Sequence, residues 1–593
     1  MTLTRSQFKV LHALSKSADR LSQRTLAGLA SLSLGTINKA VQELEKTGCL
    51  KDGRITPHGI TVLEPFRVQN AIILAAGLSS RFAPISYERP KGVLKVKGEI
   101  LIERQIRQLR EAGIDKITVV VGYKKEYFFY LAAKYGVSIV VNSEYATKNN
   151  SWSLWLASSS LSNTYICSSD NYFVENPFER YVWKAYYATE FAHGATEEWC
   201  VTTGSANRIT GITIGGNDSW IMLGHVYFDQ AFSQAFKAIL EQEISNPETD
   251  SKLWEDIFKD HLAELNMEAR HYPSGQIKEF DSLDELRDFD ESFIENVDSN
   301  IFDNISEVLG CDRSEIRNVY PLKQGLTNLS CHFTTDSGEW VYRHPGIGTE
   351  LLIDRSAEHS ALKLAKELSL DTTFLYMDAG RGWKISRFIP NARQLDPHDP
   401  VDLKRAMQIC RELHATDRKV DRSFSFITET ERYKSLLTEK AEIEIPDYRE
   451  LSEKFDELAG FIEADQARVC LCHNDFFSLN FLIDQYDHYN LIDWEYAGMG
   501  DYANDFGTFA VCCQLDGSEV DQALEFYFER KPTPEEHRHN LALIAFAGWC
   551  WYNWSLLKEA EGDAVGEWLY IYYRYAVTYL DQSLNLYKGE VRR

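Results

Sequence analysis

The chain has 593 residues, a formal net charge of -25, 44% hydrophobic residues and 25% charged residues. This length exceeds what one hydrophobic core usually organises, so two to four domains are expected. The acidic excess disfavours broad nucleic-acid binding, and no apolar run approaches the roughly 20 residues that span a bilayer, which disfavours a membrane protein.

The N-terminus and the cysteines indicate a cytoplasmic location. The stretch "MTLTRSQFKVLHALSKSADR" mixes charges among its apolar positions, unlike a secretory signal. The eleven cysteines show neither paired CxxC spacing nor Cys/His spacing for zinc. We therefore expect reduced thiols in the cytoplasm.

Residues 1–66 carry nine Lys/Arg against five Asp/Glu and so differ from the acidic remainder. Apolar spacing predicts three helices, with Ser33 as an N-cap, then two short strands and a fourth helix. The stretch "SLGTINKAVQELEKTGCL" resembles the winged helix-turn-helix family. The resemblance implies DNA binding through Thr36, Asn38, Lys39 and Arg54. The alternative is a packing or dimerising appendage of an enzyme, because the helix has no dense Arg/Lys face.

From residue 67, predicted strands alternate with predicted helices. The strands are "NAIILAAG", "KITVVVGY", "VSIVVN" and "TYICSSDNYF", with "ILIERQIRQLREAGI" and "KEYFFYLAAKYG" as helices between them. This pattern predicts an α/β domain with a mostly parallel sheet that is covered on both faces. Ligands of such sheets bind at the carboxyl ends of the strands.

The first chemical motif is LAAG-x-x-S-R followed by P-K, which spans residues 74–91. Its small residues allow backbone N–H groups to approach a triphosphate, and its cations suit phosphates. Over residues 70 to about 290 the chain resembles the sugar-phosphate and choline-phosphate nucleotidyltransferases, most closely the lic-type phosphocholine cytidylyltransferases. The resemblance implies catalytic roles for Lys91 and Arg81. The implied nucleotide-binding residues are Leu74, Ala75, Ala76, Gly77, Ser80, Arg81 and Lys91.

The same resemblance implies a Mg²⁺ site and a choline subsite. Asp170 and Asp281 match the two metal-binding acidic residues, although Asp281 has an alternative role as the N-cap of the next helix. A trimethylammonium group is recognised by aromatic faces and a nearby carboxylate. The candidates are Tyr172 and Trp254, together with Trp152, Trp155 and Glu255, and any of these Trp has the alternative of a core position.

The C-terminal region begins with two strands and a helix and ends in long, aromatic-rich helices, which is the bilobal plan of kinases. The motif H-N-D-x-x-x-x-N at residues 473–480, with Asp493 downstream, resembles the catalytic loop of the aminoglycoside phosphotransferase and choline kinase superfamily. The resemblance implies that Asp475 accepts or orients the substrate hydroxyl and that Asn480 and Asp493 hold Mg²⁺. His473 is expected to orient the loop. The alternative is a capped turn between buried strands.

Features upstream of this loop also resemble kinases. The stretch "QGLTN" is expected to turn over the ATP phosphates through Gly325, Thr327 and Asn328. Arg343 on a strand and Glu358 on the next helix resemble the cation and glutamate that position nucleotide phosphates in kinases.

The helix "GWCWYNWSL" bears on the choice of substrate. Trp551 and Trp554 stand three residues apart and so share one helical face. This arrangement resembles the choline kinase helix whose aromatic rings stack on a quaternary ammonium. Trp494 and Glu495 are predicted to add a further ring and a counter-charge. The alternative is a Trp-rich core helix.

The sequence thus predicts a multidomain enzyme with a winged helix at 1–66, a Rossmann-like nucleotidyltransferase domain at 67–296 and a bilobal α+β kinase-like domain at 297–593. It is expected to phosphorylate choline with ATP and to convert phosphocholine and CTP to CDP-choline, with Mg²⁺. Ethanolamine or an aminoalkylphosphonate remains an alternative substrate. A DNA-binding regulator that senses metabolites is the alternative class. DNA binding through 1–66 and a homodimer remain open.

Overall fold

The computed structural model describes residues 2–17, 20–322, 328–346, 353–440, 442–562 and 565–589. The chain forms two compact units, Met1–Ile301 and Phe302–Arg593. The predicted boundary after residue 66 falls inside the first unit, and the three domain limits stay predictions. Among the described helices, none is both long enough and apolar enough to cross a membrane.

The first unit opens with the predicted winged helix. Its elements are α1 (Arg5–Ser15), α2 (Gln23–Ala30), α3 (Leu34–Lys46), β1 (Leu50–Lys51), β2 (Arg54–Ile55) and α4 (Pro57–Leu63). Ser33 caps α3, because its side chain accepts a hydrogen bond from the backbone N–H of Thr36 at 3.2 Å. Tyr181, from the following domain, joins the apolar core of this module. The winged helix therefore packs directly on the next domain.

The rest of the first unit is built on a seven-stranded mixed sheet. The strands of this part are β3 (Asn70–Ala75), β4 (Lys95–Val96), β5 (Glu99–Ile100), β6 (Ile117–Val121), β7 (Ser138–Val141), β8 (Thr164–Ser168), β9 (Tyr172–Phe173), β10 (Tyr186–Thr203), β11 (Ile209–Phe228), β12 (Glu268–His271) and β13 (Ile277–Lys278). The large sheet has the order β12-β10-β11-β8-β3-β6-β7. Strands β8, β3, β6 and β7 run parallel, which confirms the predicted α/β core. The long antiparallel hairpin of β10 and β11 is an addition that the sequence pattern did not predict.

Helices cover this sheet on both faces, and two apolar clusters fill the layers between them. The helices are α5 (Ile85–Glu88), α6 (Leu101–Glu111), α7 (Tyr130–Tyr135), α8 (Asn150–Leu156), α9 (Gln230–Glu243), α10 (Trp254–Asp260), α11 (Leu283–Phe289) and α12 (Phe293–Asn296). Leu74 in β3 is in register with Ser168 in β8. The loops that follow these two strands therefore emerge side by side at the carboxyl edge of the sheet.

The boundary between the units falls inside α13 (Asn300–Leu309). The second unit begins with a five-stranded antiparallel sheet in the order β14-β15-β16-β18-β17. Its strands are β14 (Arg317–Pro321), β15 (Asn328–Thr335), β16 (Gly338–Pro345), β17 (Phe374–Met377) and β18 (Lys384–Arg387), with α14 (Arg355–Glu367) between β16 and β17. This small α+β lobe is the one that the sequence predicts.

A larger helical lobe follows and confirms the bilobal plan. Its helices are α15 (Pro400–His414), α16 (Phe426–Lys440), α17 (Tyr448–Ala464), α18 (Ala503–Cys512), α19 (Gly517–Phe528), α20 (Pro534–Glu561) and α21 (Trp568–Lys588). Four short strands lie between α17 and α18: β19 (Val469–Cys472), β20 (Phe481–Ile483), β21 (Tyr489–Leu491) and β22 (Gly498–Asp501). Helix α20 is buried continuously from His539 to Ser555, so it forms the centre of the lobe. At Gly548 an added Cβ would lie 2.7 Å from the backbone nitrogen of Ala576, so α20 and α21 approach too closely for a larger residue.

Candidate active sites

A cavity of about 450 Å³ lies at the carboxyl ends of β3 and β8, where the parallel sheet predicts it. Residues 74–79, Lys91 and Asp170 line it. Lys91 is only 7% exposed, and its Nζ lies 3.0 Å from Asp170 Oδ2 and donates to the carbonyl oxygen of Phe280. The cavity therefore holds a buried ammonium paired with a carboxylate.

Arg81 and Asp281 also come together, but outside that cavity lining. Ser80 and Arg81 begin a short 3₁₀ helix, and Arg81 Nη1 lies 2.9 Å from Asp281 Oδ1. The Arg81 side chain is 78% exposed, which leaves it free to swing toward a bound anion. The N-cap of α11 is Ser282, so the alternative role of Asp281 as N-cap is wrong.

Glu279 is a carboxylate near Asp170 that the sequence reasoning missed. Burial, and next the negative charge of Asp170, raise the pKa of Glu279 to about 7. Asn171 Nδ2 donates to Glu279 Oε2 at 3.1 Å. Glu279 and Asp281 flank the same phenylalanine in "EFD", so spacing alone does not choose which of them joins Asp170 at a metal.

Two aromatic candidates for the choline subsite are enclosed by protein. The Tyr172 ring lies 4.3 Å from the Arg104 guanidinium carbon, and Trp254 is 2% exposed and stacks on Tyr187 at 5.8 Å between centroids. Neither lines the cavity. These neighbours cover the two rings, and the contacts of Tyr172 and Trp254 with substrate stay predictions.

Glu255 lies next to Trp254 in α10 and behind the cavity wall. Burial raises the pKa of Glu255 to about 7. Its carboxylate accepts hydrogen bonds from Tyr187 Oη at 3.3 Å and from Asn150 Nδ2 at 3.2 Å. Asn150 itself lines the cavity, so Glu255 is one side chain removed from it.

In the second unit, the loop after β19 is held by a residue that the motif does not include. Asp505 at the start of α18 is fully buried and accepts hydrogen bonds from the backbone N–H groups of His473 at 2.9 Å and Asn474 at 2.6 Å. His473 Nε2 lies 2.9 Å from the carbonyl oxygen of Ile492, which agrees with the orienting role expected for it. Asp505 thus anchors the loop on a helix.

The acidic and amide groups of the motif lie together. Asn480 Nδ2 donates to Asp475 Oδ2 at 2.9 Å and to the carbonyl oxygen of Asp475 at 2.8 Å. Burial, and next the negative charge of Asp493, raise the pKa of Asp475 to about 8. A carboxylate with a raised pKa is suited to accept a proton.

The predicted Arg343 and Glu358 pair forms a buried ion pair at 2.6 Å. Arg343 Nη1 also lies 3.3 Å from Asp493 Oδ1. Two further cations complete this group, because Arg355 Nη1 lies 2.8 Å and Lys384 Nζ 3.6 Å from the Glu358 carboxylate. Sequence reasoning missed both, although Arg355 stands one helical turn before Glu358, and strand pairing sets Lys384 opposite Arg343.

Glu495 and Trp494 both contact protein groups. Glu495 Oε2 lies 2.8 Å from Asn328 Nδ2 and 3.5 Å from Arg355 Nη1, so its negative charge faces protein groups of the small lobe. Trp494 is fully buried and its Nε1 donates to the carbonyl oxygen of Leu491 at 2.7 Å. The substrate contacts of both residues stay predictions, and the contacts described for them are with protein groups. The predicted Gly325 and Thr327 lie outside the described residues.

Trp551 and Trp554 lie on one face of α20 with their rings perpendicular and 6.1 Å apart. Tyr496 approaches Trp551 edge-on at 5.3 Å. In the described part of the chain, neither indole Nε1 nor Tyr496 Oη has a hydrogen-bond partner, although all three atoms are buried. Burial, and next the charges of Cys512 and Asp475, raise the pKa of Tyr572. Tyr496 and Tyr572 are aromatic candidates that sequence reasoning missed.

These two sites define an enzyme with a nucleotidyltransferase domain and a kinase domain. Residues 71–208 match the model of the MobA-like NTP transferase domain. Residues 318–540 match the phosphotransferase enzyme family, and residues 3–51 match the winged helix-turn-helix DNA-binding family.

Curated relatives cover the transferase and kinase regions separately. The chain is 33% identical over 221 residues to choline-phosphate cytidylyltransferase of Streptococcus pneumoniae, which covers 37% of this chain and 96% of the relative. It is 35% identical over 234 residues to 2-aminoethylphosphonate cytidylyltransferase of Lancefieldella rimae, a match that covers 38% of this chain and 93% of the relative. It is 26% identical over 274 residues to Protein LicA of Haemophilus influenzae, a match that covers 44% of this chain and 98% of the relative. The chain belongs to the cytidylyltransferase family that the first two relatives represent.

Proposed function

We propose that this enzyme phosphorylates choline with ATP and then transfers CMP from CTP to the phosphocholine, releasing pyrophosphate. The observation that carries the proposal is the joining of a phosphoester-forming site and a phosphoester-consuming site on one chain. The names of the relatives support this assignment, since one acts on choline phosphate and another on 2-aminoethylphosphonate. Both substrates are small molecules that carry a cationic nitrogen and a phosphorus oxyanion.

In the kinase step, Asp475 accepts the hydroxyl proton of choline as the oxygen attacks the γ-phosphorus of ATP. The raised pKa of Asp475 supports this role, and the hydrogen bond from Asn480 fixes the carboxylate. Arg343 and Lys384 neutralise phosphate charge from the small lobe. ADP leaves as the bond between the γ-phosphorus and the β-γ bridging oxygen breaks.

The aromatic group on α20 supports choline as the alcohol. A trimethylammonium group has no N–H to satisfy, so faces of Trp551, Trp554 and Tyr496 stabilise it by cation–π attraction. A primary ammonium would need acceptors for three N–H groups. Choline is therefore the better match to these rings than ethanolamine.

In the transferase step, a phosphate oxygen of phosphocholine attacks the α-phosphorus of CTP, and the bond to the bridging oxygen of pyrophosphate breaks. Lys91 is held in the cavity and stabilises the charge that develops on the phosphate oxygens. Arg81 approaches the triphosphate from the exposed edge. The loop at residues 74–79 supplies backbone N–H groups.

We propose Mg²⁺ as the metal of both sites, because the available donors are hard oxygens. In the transferase site, Asp170 with Glu279 or Asp281 would hold the metal. In the kinase site, Asn480 with Asp493 would hold it. Asn480 uses its Nδ2 on Asp475, which leaves its Oδ1 as a neutral oxygen ligand. The metal would neutralise phosphate charge.

The test is incubation of the purified chain with choline, ATP, CTP and Mg²⁺, with products identified by mass spectrometry. We expect phosphocholine first and CDP-choline second. Parallel reactions replace choline by ethanolamine. Absence of both products, or equal rates with ethanolamine, would contradict the proposal.

One relative favours a second candidate for the transferase substrate. The 2-aminoethylphosphonate cytidylyltransferase of Lancefieldella rimae is 35% identical to this chain. CMP transfer to 2-aminoethylphosphonate, compared with phosphocholine under equal CTP, separates the two. A higher kcat/KM with the phosphonate would replace phosphocholine in our scheme.

DNA binding and a cytoplasmic location remain predictions for the whole protein. Lys39 and Arg54 are exposed on the winged helix and take no part in its packing on the next domain. An electrophoretic mobility assay with random duplex DNA tests the predicted DNA binding. A Lys39→Ala/Arg54→Ala variant is the control.

A further inference from the structure

A second large groove lies between the winged helix and the nucleotidyltransferase domain. Its volume is about 860 Å³, and it shares no lining residue with the cavity at Lys91. One wall is α1, and the other is formed by residues 179–186 and strand β12. Both walls belong to the first compact unit.

Ion pairs across the groove hold the two walls in place. Arg5 Nη1 and Nη2 donate to the two carboxylate oxygens of Glu268 at 3.1 and 2.7 Å. Glu179 accepts Lys16 Nζ at 2.8 Å and Arg270 Nη1 at 2.9 Å. The bidentate Arg5 pair in particular fixes the orientation of α1 on the domain.

Aromatic packing closes the base of the groove. Trp183 stacks on Phe66 with 5.1 Å between centroids, and Phe8 packs against Trp183 at 5.4 Å. The floor is therefore apolar and rigid, while the charged side chains stand at the walls.

Positive charge predominates in the groove although the chain as a whole carries a charge of -25. Five cations line it against two carboxylates, and these residues are Arg5, Lys9, Lys16, Lys184, Arg270, Glu179 and Glu268. Within the described residues, no carboxylate lies within 4.0 Å of Lys9 or Lys184. Burial, and next the charge of Arg5, lower the pKa of Lys9, whereas the charge of Glu268 acts in the opposite direction. Such a concave basic surface attracts anions.

His12 provides an independent sign of a missing partner. Its side chain is 14% exposed, and its ring stacks on Phe8 at 5.5 Å. The His12 Nε2 atom is buried and has no hydrogen-bond partner among the described residues, since Glu179 Oε1 is 3.9 Å away. His12 is among the residues that line the groove, although its Nε2 atom is itself shielded from solvent.

We propose that this groove binds a small molecule that carries a diphosphate or triphosphate. Lys9 Nζ donates to the carbonyl oxygen of Ala30 at 2.8 Å, but neither Lys9 nor Lys184 forms an ion pair among the described residues. The lysines and arginines of the two walls supply the donors that polyphosphates take, and the volume suits a ligand of nucleotide size. The ligand contacts the winged helix and the transferase domain together, so its binding tightens their packing. This site is separate from both catalytic sites and does not depend on the proposed function.

The test is hydrogen exchange of the full chain with inorganic pyrophosphate and, separately, with CTP. We expect slower exchange in residues 5–16, 179–186 and 268–271, in the wild type and in Lys91→Ala alike. Slowing by both probes assigns a polyphosphate site, and slowing by CTP alone assigns a nucleotide site. Absence of slowing with either probe overturns the proposal.

The groove variant is Lys9→Ala/Lys184→Ala, which we expect to weaken binding at least tenfold. Lys116→Ala/Lys237→Ala removes the same charge outside the groove and is expected to bind as the wild type does. Lys184→Glu, at a partly exposed position that makes no described ion pair, serves if the double variant folds poorly. Unchanged protection in the groove variants overturns the proposal.

Discussion

The two candidate active sites arrange opposite charges in different ways. In the transferase domain they form two separate pairs, with Lys91 and Asp170 inside the cavity and Arg81 and Asp281 at its exposed edge. In the kinase domain the charges share partners. Glu358 contacts three cations there, and Arg343 contacts three carboxylates.

The difference teaches where substitutions are expected to act. Removing one member of a buried, shared set leaves the other charges unpaired in a poorly solvated place, which costs stability. Removing an exposed partner costs little, since water replaces it. The kinase site should therefore couple stability to activity, whereas the edge of the transferase site should not.

The largest effect is expected from Asp475→Asn. Loss of the proton acceptor should lower choline phosphorylation by about 10²- to 10⁴-fold. CDP-choline synthesis from supplied phosphocholine should be unchanged. ADP release measures the first activity and pyrophosphate release the second, with the exposed Asp487→Asn as control. Loss of both activities would contradict separate sites.

Glu358→Gln tests the shared set directly. Although burial opposes its ionisation, Arg343, Lys384 and Arg355 lower the pKa of Glu358 to about 2. Replacing the carboxylate leaves these cations unpaired and should destabilise the second unit by about 3 to 5 kcal/mol. Urea unfolding at pH 7 measures this. The exposed Glu367→Gln on the same helix is the control. Equal stability of the two variants would contradict the claim that the buried, shared charges couple to stability.

Lys91→Ala probes the inner pair of the transferase site. Without the ammonium, CMP transfer should fall by about 10²- to 10³-fold, and phosphocholine should accumulate. Exposed Lys95→Ala, four residues along the chain, serves as the matched variant. CDP-choline output is measured by mass spectrometry. Undiminished output from Lys91→Ala would remove Lys91 from the site.

The pH response gives a further contrast, because the pKa of Glu255 is raised to about 7 by burial. The folded state holds this proton more tightly than the unfolded state, so the stabilising effect is complete below about pH 4.5 and is lost as the pH rises through 7. We expect Glu255 alone to account for about 2 kcal/mol of the stability that the first unit loses between pH 5.5 and pH 8. Denaturant unfolding at the two pH values measures this loss. A Glu255→Gln variant should lose about 2 kcal/mol less than the wild type over this range, because Glu279, whose pKa is also raised to about 7, still titrates in it. A loss equal to that of the wild type would exclude Glu255.

The smallest effect is expected from Arg81→Ala. Its exposed pair with Asp281 contributes little to stability, so the variant should unfold as the wild type does. The KM for CTP should rise about tenfold, because one cation near the triphosphate is lost. Steady-state kinetics with varied CTP checks this. A large fall in stability would mean that the exposed Arg81–Asp281 pair behaves like the buried charges of the kinase site.

Local sequence predicts the parts of each site that lie on one loop. The LAAG loop and the loop with Asp475 each follow a strand, and the spacing of their polar residues is set by that loop alone. Lys384 and Arg355 join Arg343 only through strand register and a helix that packs nearby. Asp505 reaches the Asp475 loop from a helix 30 residues further on.

The sequence by itself determined the three kinds of domain, the alternation that yields a parallel sheet, and the motifs that identify two phosphate-transferring sites. These are local properties, since periodicity and spacing act over a few residues. The tertiary structure decided how the aromatic rings are packed: Trp254, Trp494 and Trp551 are all buried, and Trp551 lies edge-on to Tyr496. It also built the basic groove at α1. Burial and charge at a point in space depend on segments that are distant in the chain, and no local pattern carries that information.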